Sequence, residues 1–405
     1  MKKSFLIPLL LFCCPLAATA VEQQEVQDSV REAVEWRHHL HQNPELSFQE
    51  YKTSSYVAEL LSSFGSIEVL RPTETSVVGI LRGGKPGKTV AFRADMDALP
   101  VQEQTGFSFA SKTPGVSHAC GHDMHTAMLL GTARVLASMQ KELPGTVYFI
   151  FQPGEEKSPG GALPIIKSGV LKGVDAIFGA HVMPHAPTGS IGILPAGPAS
   201  SSSDGFFLTI QGKGSHGSMP QLGVDPIVTG AEVVMALQTV VSRSVTPGDM
   251  AVVTIGKFQS GNAPNVIPDK AELGASIRSV TPETRKLLEE RTRSIIDHVC
   301  KANGARYKLD YELGYPAIEN NSALRELAKK AAIQAVGEKN VFDAPRIPAS
   351  EDFSYYGQVA PIYFMTISSG DGPANHNPGF KADDAAISNG IKTEVRIILD
   401  YLNSK

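Results

Sequence analysis

Concentrated basic charge is missing from this chain. Lysine and arginine number 37 against 41 aspartates and glutamates, a net charge of −4, and no basic cluster stands out. Binding through phosphates needs such a surface, so nucleic acid is not an expected partner. Cysteine is scarce as well. Of four residues, Cys13 and Cys14 fall near the N-terminus. Cys120 and Cys300 are too few and too far apart to form a disulfide framework. Beyond the N-terminus no apolar run approaches the roughly 20 residues that a membrane span requires. Internal repeats and low-complexity tracts are lacking too.

What is present fits a soluble globular protein: 42% hydrophobic and 19% charged residues over 405 positions. That length exceeds one compact core and predicts two domains. The opening "MKKSFLIPLLLFCCPLAATAVEQQ" has Lys2 and Lys3, an apolar run, then small residues ending in "AATA". This is the pattern of a cleavable signal peptide, residues 1–20, with cleavage after Ala20. It predicts a secreted or periplasmic protein with no membrane attachment after cleavage. A membrane anchor is the competing reading, opposed by Pro8 and Pro15. A lipoprotein cut before Cys13 or Cys14 is opposed by Phe12.

Helix periodicity marks "VQDSVREAVEWRHHLHQNPEL", ended by "NPE", and then "KTSSYVAELLSSFG", stopped by Gly65. Short apolar runs in "SVVGILRG", "TVAFRADMDALP", "GTVYFIFQPGEE" and "VDAIFGAHV" read as buried strands, with "HTAMLLGTARVLASMQ" a helix among them. The alternation predicts an α/β unit around a largely parallel or mixed sheet. From the small-residue linker "ASSSSDG" onward the order becomes β-α-β-β-α-β, the ferredoxin-like split arrangement. Helix "SALRELAKKAAIQAVG", strand "IYFMTIS" and helix "GIKTEVRIILDYLNSK" then resume the first pattern. The expected organisation is a catalytic domain in two parts, 21–198 and 314–405, interrupted by an inserted α+β domain, 199–313.

Four groups of metal-friendly side chains sit at predicted strand ends: "HACGHDMH", "GEE", "AHVMP" and "ANHNP". Ligand sites of open α/β sheets lie at such ends. One histidine there would read as an ordinary hydrogen-bonded residue; four groups together do not. Of the adjacent Glu155 and Glu156, one can bind a metal while the other faces the open coordination position. That supplies a ligand and a general base for a metallohydrolase.

"RADMDALP", "HACGHDMHTAMLLG", "FQPGEE", "GAHVMP", "GKGSHGSMP", "NVIP" and "HNPGF" match in order the motifs of the M20 metallopeptidase family. The chain resembles its amidohydrolase branch: N-acyl-amino-acid amidohydrolases, hippurate hydrolases and auxin-conjugate (indole-acetyl amino acid) hydrolases. The resemblance implies a di-metal catalytic domain with an inserted lid and dimerisation domain. It also implies metal ligands Cys120, His122, Glu156, His181 and His376, holding two divalent ions per subunit, with Glu155 as general base and then acid. Thiolate, imidazole and carboxylate together suit zinc, manganese, cobalt or nickel and do not choose among them. Asp95, Asp97, Asp123 and His125 are expected to orient the ligands, and His118 to be structural. Glu351 and Asp352 in "SEDFSYY" resemble a family segment near the site; a helix cap is the plainer reading. In dimeric relatives the residue matching His216 reaches the neighbouring subunit's active site and polarises the scissile carbonyl. Asn265 and Arg278 match substrate-contacting positions, and Arg278 could pair with a substrate carboxylate; a surface strand residue is the plainer reading.

His38, His39 and His41 favour the dipole at a helix end, His185 reads as loop surface, and the glycines around His216 suit a flexible exposed loop. The expected activity is metal-dependent hydrolysis of the linear amide of an N-acyl amino acid. A dipeptidase or carboxypeptidase of the same family is the alternative. A thiol hydrolase using Cys120 leaves Glu155, Glu156, His181 and His376 without a role. A non-catalytic binding protein would have lost ligands or the base, and none is missing.

Overall fold

The computed structural model describes residues 15–184 and 186–404. Residues 1–14 of the expected leader and His185 therefore lie outside the described residues. The first helix, α1 (Pro15–Gln42), starts before the expected cleavage point. It is followed by α2 (Tyr51–Ser63), β1 (Ile67–Leu70), β2 (Val77–Arg82), β3 (Lys85–Asp95), α3 (His122–Ser138), β4 (Pro144–Gln152), α4 (Ala162–Lys167), β5 (Ala176–Met183) and β6 (Ile191–Ile193). Period-two alternation places the strand side chains on two faces. On β2, Val77 and Leu81 enter one core with α3 and α8, while Val78 and Ile80 enter a second core with α4. The sheet is thus covered on both sides.

A second sheet follows: β7 (Asp204–Gln211), α5 (Pro226–Ser244), β8 (Ala251–Ser260), β9 (Lys270–Ser279), α6 (Pro282–Ala302) and β10 (Arg306–Glu312). The chain then returns through α7 (Ser322–Val336), β11 (Val341–Asp343), β12 (Ile362–Ser368) and α8 (Ala385–Leu402). The large sheet is mixed, ordered β1-β2-β4-β3-β5-β12-β6-β11, and its central strands β4, β3, β5 and β12 are parallel. The second sheet is antiparallel, ordered β8-β9-β7-β10. α5 and α6 start where Asp225 and Thr281 cap them ahead of Pro226 and Pro282. Both helices bury one face against this sheet in a core of its own. Among the described residues no helix is long and apolar enough to cross a membrane.

The serine tract is not a loose linker. Ala199, Ser200, Ser201 and Ser202 are buried. Ser202 N–H donates to the Ser279 carbonyl at 2.7 Å, and the Ser200 hydroxyl accepts from Ile318 N–H at 2.8 Å. The residues are small because they pack between neighbouring segments and satisfy them with hydroxyls. Flexibility is not what selects them.

Candidate metal centre

The parallel strands β3, β4, β5 and β12 deliver their carboxyl ends, or the loops just after them, to one region. α3 begins there at Gly121, whose φ is 95°; a Cβ would lie 2.3 Å from Val182 Cγ2, so only glycine fits. His122 follows at the first helical position, facing β5. α3 is buried on nearly all sides, which fixes the direction of His122 as rigidly as the core allows.

Donor atoms of Cys120, His122 and His181 lie within 4.8 Å of one another, as do those of Cys120, Glu156 and His376, and those of His122, Glu155 and Glu156. Cys120, His122 and Glu156 each belong to two of these groups, so the clusters adjoin. Cys120 Sγ is 3.3 Å from His181 Nε2. His181 Nδ1 donates to the Val182 carbonyl at 2.8 Å, which leaves the Nε2 lone pair facing the thiol. His376 Nε2 lies 2.9 Å from Glu156 Oε1. His376 itself has φ 70°, a costly value for a residue with a Cβ, and its N–H is tied to the Ala119 carbonyl at 2.8 Å. The expected ligands are therefore brought together in one place.

The remaining groups of the motif face elsewhere. His125 is occupied at both ring nitrogens: Nδ1 contacts Asp95 Oδ1 at 2.6 Å, and Nε2 accepts Val182 N–H at 2.7 Å. It has no lone pair left for a metal and orients the segment that carries His181. His122 Nδ1 meets Asp97 Oδ1 at 3.2 Å. Its buried Nε2 has no hydrogen-bond partner among the described residues. That atom points toward Glu156 Oε1 at 4.0 Å and Asp95 Oδ2 at 3.7 Å.

Burial opposes charge on His122, yet Asp95 and Asp97 outweigh it and push its pKa up to about 10. A field that binds a proton so firmly also favours a divalent cation. Burial, then Glu156 and Glu155, push the Cys120 thiol well up. A thiolate at this position needs a cation beside it, which argues against Cys120 as a free nucleophile. An orphaned imidazole nitrogen, a thiol, two further imidazoles and a carboxylate converge in a negative field. These residues fit divalent metal.

Glu155 is buried, and its carboxylate lies within 4.8 Å of those of Glu351 and Asp352. Burial first, then Glu351 and Glu156, push its pKa well up. Behind them the fully buried Arg93 donates to Asp95, Glu351 and Asp352 at 2.5–3.0 Å. Glu351 also accepts Phe353 N–H at the start of a short 3-10 helix, so it is at once a cap and a neighbour of Glu155.

Several expectations need correction. Asp123 does not touch a ligand; its Oδ2 takes Arg37 Nε at 2.9 Å and His41 Nδ1 at 2.7 Å, fastening α3 to α1. His41, in the last turn of α1 as expected, is buried, and Asp123 overcomes burial to hold its pKa at about 9. His216 is exposed and remains outside the donor clusters. Its segment is not free either: Ser215–His216 pairs with Val266–Ile267. Neither Gly214 nor Gly217 has a positive φ. A Cβ on Gly217 would lie 2.9 Å from the Asn265 carbonyl, so close packing selects that glycine. Asn265 is exposed on the facing segment. Arg278 donates to the Ser202 carbonyl at 3.2 Å and lines a cleft of about 750 Å³ with Glu156, Ser158, Phe207 and Tyr315. His118 is buried with neither ring nitrogen bonded among the described residues.

Of the residues that hold the Gly154–Glu156 turn, sequence patterns single out Asp97, which accepts the N–H groups of Glu155 and Glu156 at 3.1 and 3.0 Å, and miss the others. Glu50 accepts Gly154 N–H at 2.8 Å. The Phe48 ring lies where a Gly154 side chain would be, and the Tyr315 hydroxyl donates to the Glu155 carbonyl at 2.8 Å. "RADMD" and "SFQEY" held the only local signals.

Residues 91–400 match the family described as peptidase family M20/M25/M40. An N-acyl-L-amino acid amidohydrolase of Geobacillus stearothermophilus is 45% identical over 303 residues, 75% of this chain and 82% of that one. A hippurate hydrolase of Campylobacter jejuni is 36% identical over 381 residues, 93% and 98% of the two chains. Among solved structures, a Bacillus subtilis protein described as a dinuclear metal-binding peptidase of the M20 family aligns with a TM-score of 0.83 at 34% identity. That alignment covers 94% of this chain and 100% of the other. With its donor cluster and these relatives, the chain belongs to peptidase family M20/M25/M40 and is a hydrolase acting on amide bonds.

Proposed function

We propose that the protein hydrolyses N-acyl amino acids to a carboxylic acid and an amino acid. The observation that carries this is the convergence of Cys120, His122, Glu156, His181 and His376 beside the buried Glu155, with Glu156 also lining a cleft that Arg278 lines. These five side chains would hold two divalent ions, which when bound supply electrophilic pull on the scissile carbonyl and acidify the attacking water. Glu155 takes the proton from that water and passes it to the leaving nitrogen, as a carboxyl of raised pKa is suited to do. Arg278 pairs with the carboxylate of the amino-acid half, and Asn265 contacts the substrate.

His216 is proposed to polarise the carbonyl from the neighbouring subunit of a homodimer. Its exposure in this chain favours that reading. The second sheet also offers a surface: its edge strand β8 exposes Val252 and Phe258, and α5 exposes Ile227, Val228 and Met235. An unpaired edge with apolar side chains is a template for pairing with a second copy. The division into a split catalytic domain and an inserted lid, and export through residues 1–20, belong to the same proposal. N-terminal sequencing of the protein from cells tests the cleavage.

The deciding experiment is a hydrolysis panel of N-acetyl, N-benzoyl and indole-acetyl amino acids beside dipeptides, run after metal loading. Turnover of at least one N-acyl amino acid well above every dipeptide is expected. Cleavage confined to dipeptides would replace this reading with the dipeptidase or carboxypeptidase alternative.

A further inference from the structure

The Glu155 carbonyl and the Glu156 amide are the two ends of one peptide unit. Because that unit is planar, its orientation sets the directions in which the two adjacent side chains leave the backbone. Both ends are held. The amide N–H of Glu156 donates to Asp97 Oδ2 at 3.0 Å, and the carbonyl of Glu155 accepts the Tyr315 hydroxyl at 2.8 Å. Asp97 reaches the turn from the end of β3 and also holds His122. Tyr315 reaches it from elsewhere, 160 positions along the chain.

Tyr315 lies where the chain returns from the second sheet to the large one. Its N–H donates to the Ser203 hydroxyl at 3.1 Å, and its carbonyl accepts Ser203 N–H at 3.0 Å. Ser203 belongs to the outgoing crossing, so the two crossings are tied together at this point. The preceding residue is anchored to the second sheet: Gly314 N–H donates to Asp204 at 3.0 Å, and its carbonyl accepts Arg285 at 2.7 Å. The tyrosine is buried, and its ring forms part of the cleft wall beside Glu156.

We infer that Tyr315 is a positioning residue: its hydroxyl pins the Glu155–Glu156 peptide plane from the crossing between the sheets, fixing the base relative to the neighbouring ligand. Its hydroxyl acts through the backbone, on the Glu155 carbonyl. The consequence for turnover rests on the proposed roles of Glu155 and Glu156; the pinning does not.

Tyr315→Phe removes only the oxygen. Tyr355→Phe is the matched control, because the Tyr355 hydroxyl contacts the Gly314 carbonyl at 3.4 Å and its ring meets Tyr315 edge-on, without reaching Glu155. Hydrogen exchange of fragments covering 153–157 is expected to accelerate in Tyr315→Phe and stay as wild type in Tyr355→Phe. In the metal-loaded enzyme kcat on an N-acyl amino acid should fall about tenfold, equivalent to about 1.4 kcal/mol. KM should stay within about twofold, since only uniform binding would move it alone, and metal content should be unchanged. Unaltered exchange in Tyr315→Phe overturns the assignment, as does wild-type kcat despite faster exchange. If the wild-type enzyme cleaves no N-acyl amino acid, the substrate reading fails, and the exchange comparison still decides whether Tyr315 holds the peptide.

Discussion

Two histidine-bearing segments, to which the proposed mechanism assigns roles, are built in opposite ways. In 118–126 every polar side chain except His118 has a hydrogen-bond partner, Thr126 at the Asp95 carbonyl, or converges on the donor cluster, and the segment is buried against β5 and α1. In 212–220, His216 is exposed and its ring bonds, among the described residues, only to the nearby Ser218. The first segment joins a donor cluster formed within one chain. The second presents an exposed imidazole, which under the proposed mechanism another surface would meet. Rigid, over-determined placement suits groups that must hold a fixed geometry; an exposed donor suits a role that begins when another surface arrives.

The largest expected effect tests the donor cluster that the first segment joins. Glu155→Gln keeps the size of the side chain and removes the base, so kcat should fall by about 10²–10⁴ with metal content unchanged. Loss of metal in this variant would mean that the roles of Glu155 and Glu156 are exchanged, and would blur the line between ligand and base.

Next comes the exposed segment. His216→Ala should bind metal normally and lose about 10²–10³ in kcat, the cost of one oxyanion donor. Mixing it with Glu155→Gln subunits should restore part of the activity if His216 acts across a dimer, because one hybrid site then carries both intact residues. Verified heterodimers with no recovery would place His216 at its own subunit's site. Near-wild-type turnover in the single variant would end the contrast between the two segments.

The smallest effect concerns burial without convergence. Glu394 on α8 is buried against α3 with, among the described residues, only the Thr132 hydroxyl as partner, at 2.7 Å, and burial pushes its pKa up to about 8. A carboxyl raised on folding contributes stability that is fully present below its unfolded value near 4.5 and is lost as pH rises through about 8. Between those values unfolding free energy should fall with pH by up to about 1.4 kcal/mol per unit from this group. Glu394→Gln should flatten that slope in urea melts at pH 5 to 9; an unchanged slope would remove Glu394 as its source.

How much was legible in the sequence follows the same division. The cluster residues were legible because their motifs follow predicted strands and match a known family in order, although Cys120 and His122 lie at the start of α3, well beyond the end of β3. The mixed sheet was legible from alternating apolar runs, though β1, α4, β6 and β11 are too short to give a period. Of the supports of Glu155 and Glu156, Asp97 was legible from "RADMD", whereas Glu50 and Tyr315 were not: they act on backbone atoms, and a bond to a backbone atom leaves no mark on the residue it holds. Composition misled at the serine tract and at His216, where small residues serve close packing. His41 was placed at the helix end, but its bonds to Asp123 and Glu103 were not legible because those partners are distant in sequence.

The donor cluster is proposed to be a divalent metal centre formed within one chain. Anomalous diffraction from crystals of the metal-loaded protein, at the absorption edge of the ion used, tests this. Two peaks enclosed by Cys120, His122, Glu156, His181 and His376 are expected, both lost after chelation together with activity. Full activity in thoroughly demetallated protein, or ordered ions bound only elsewhere, would contradict it.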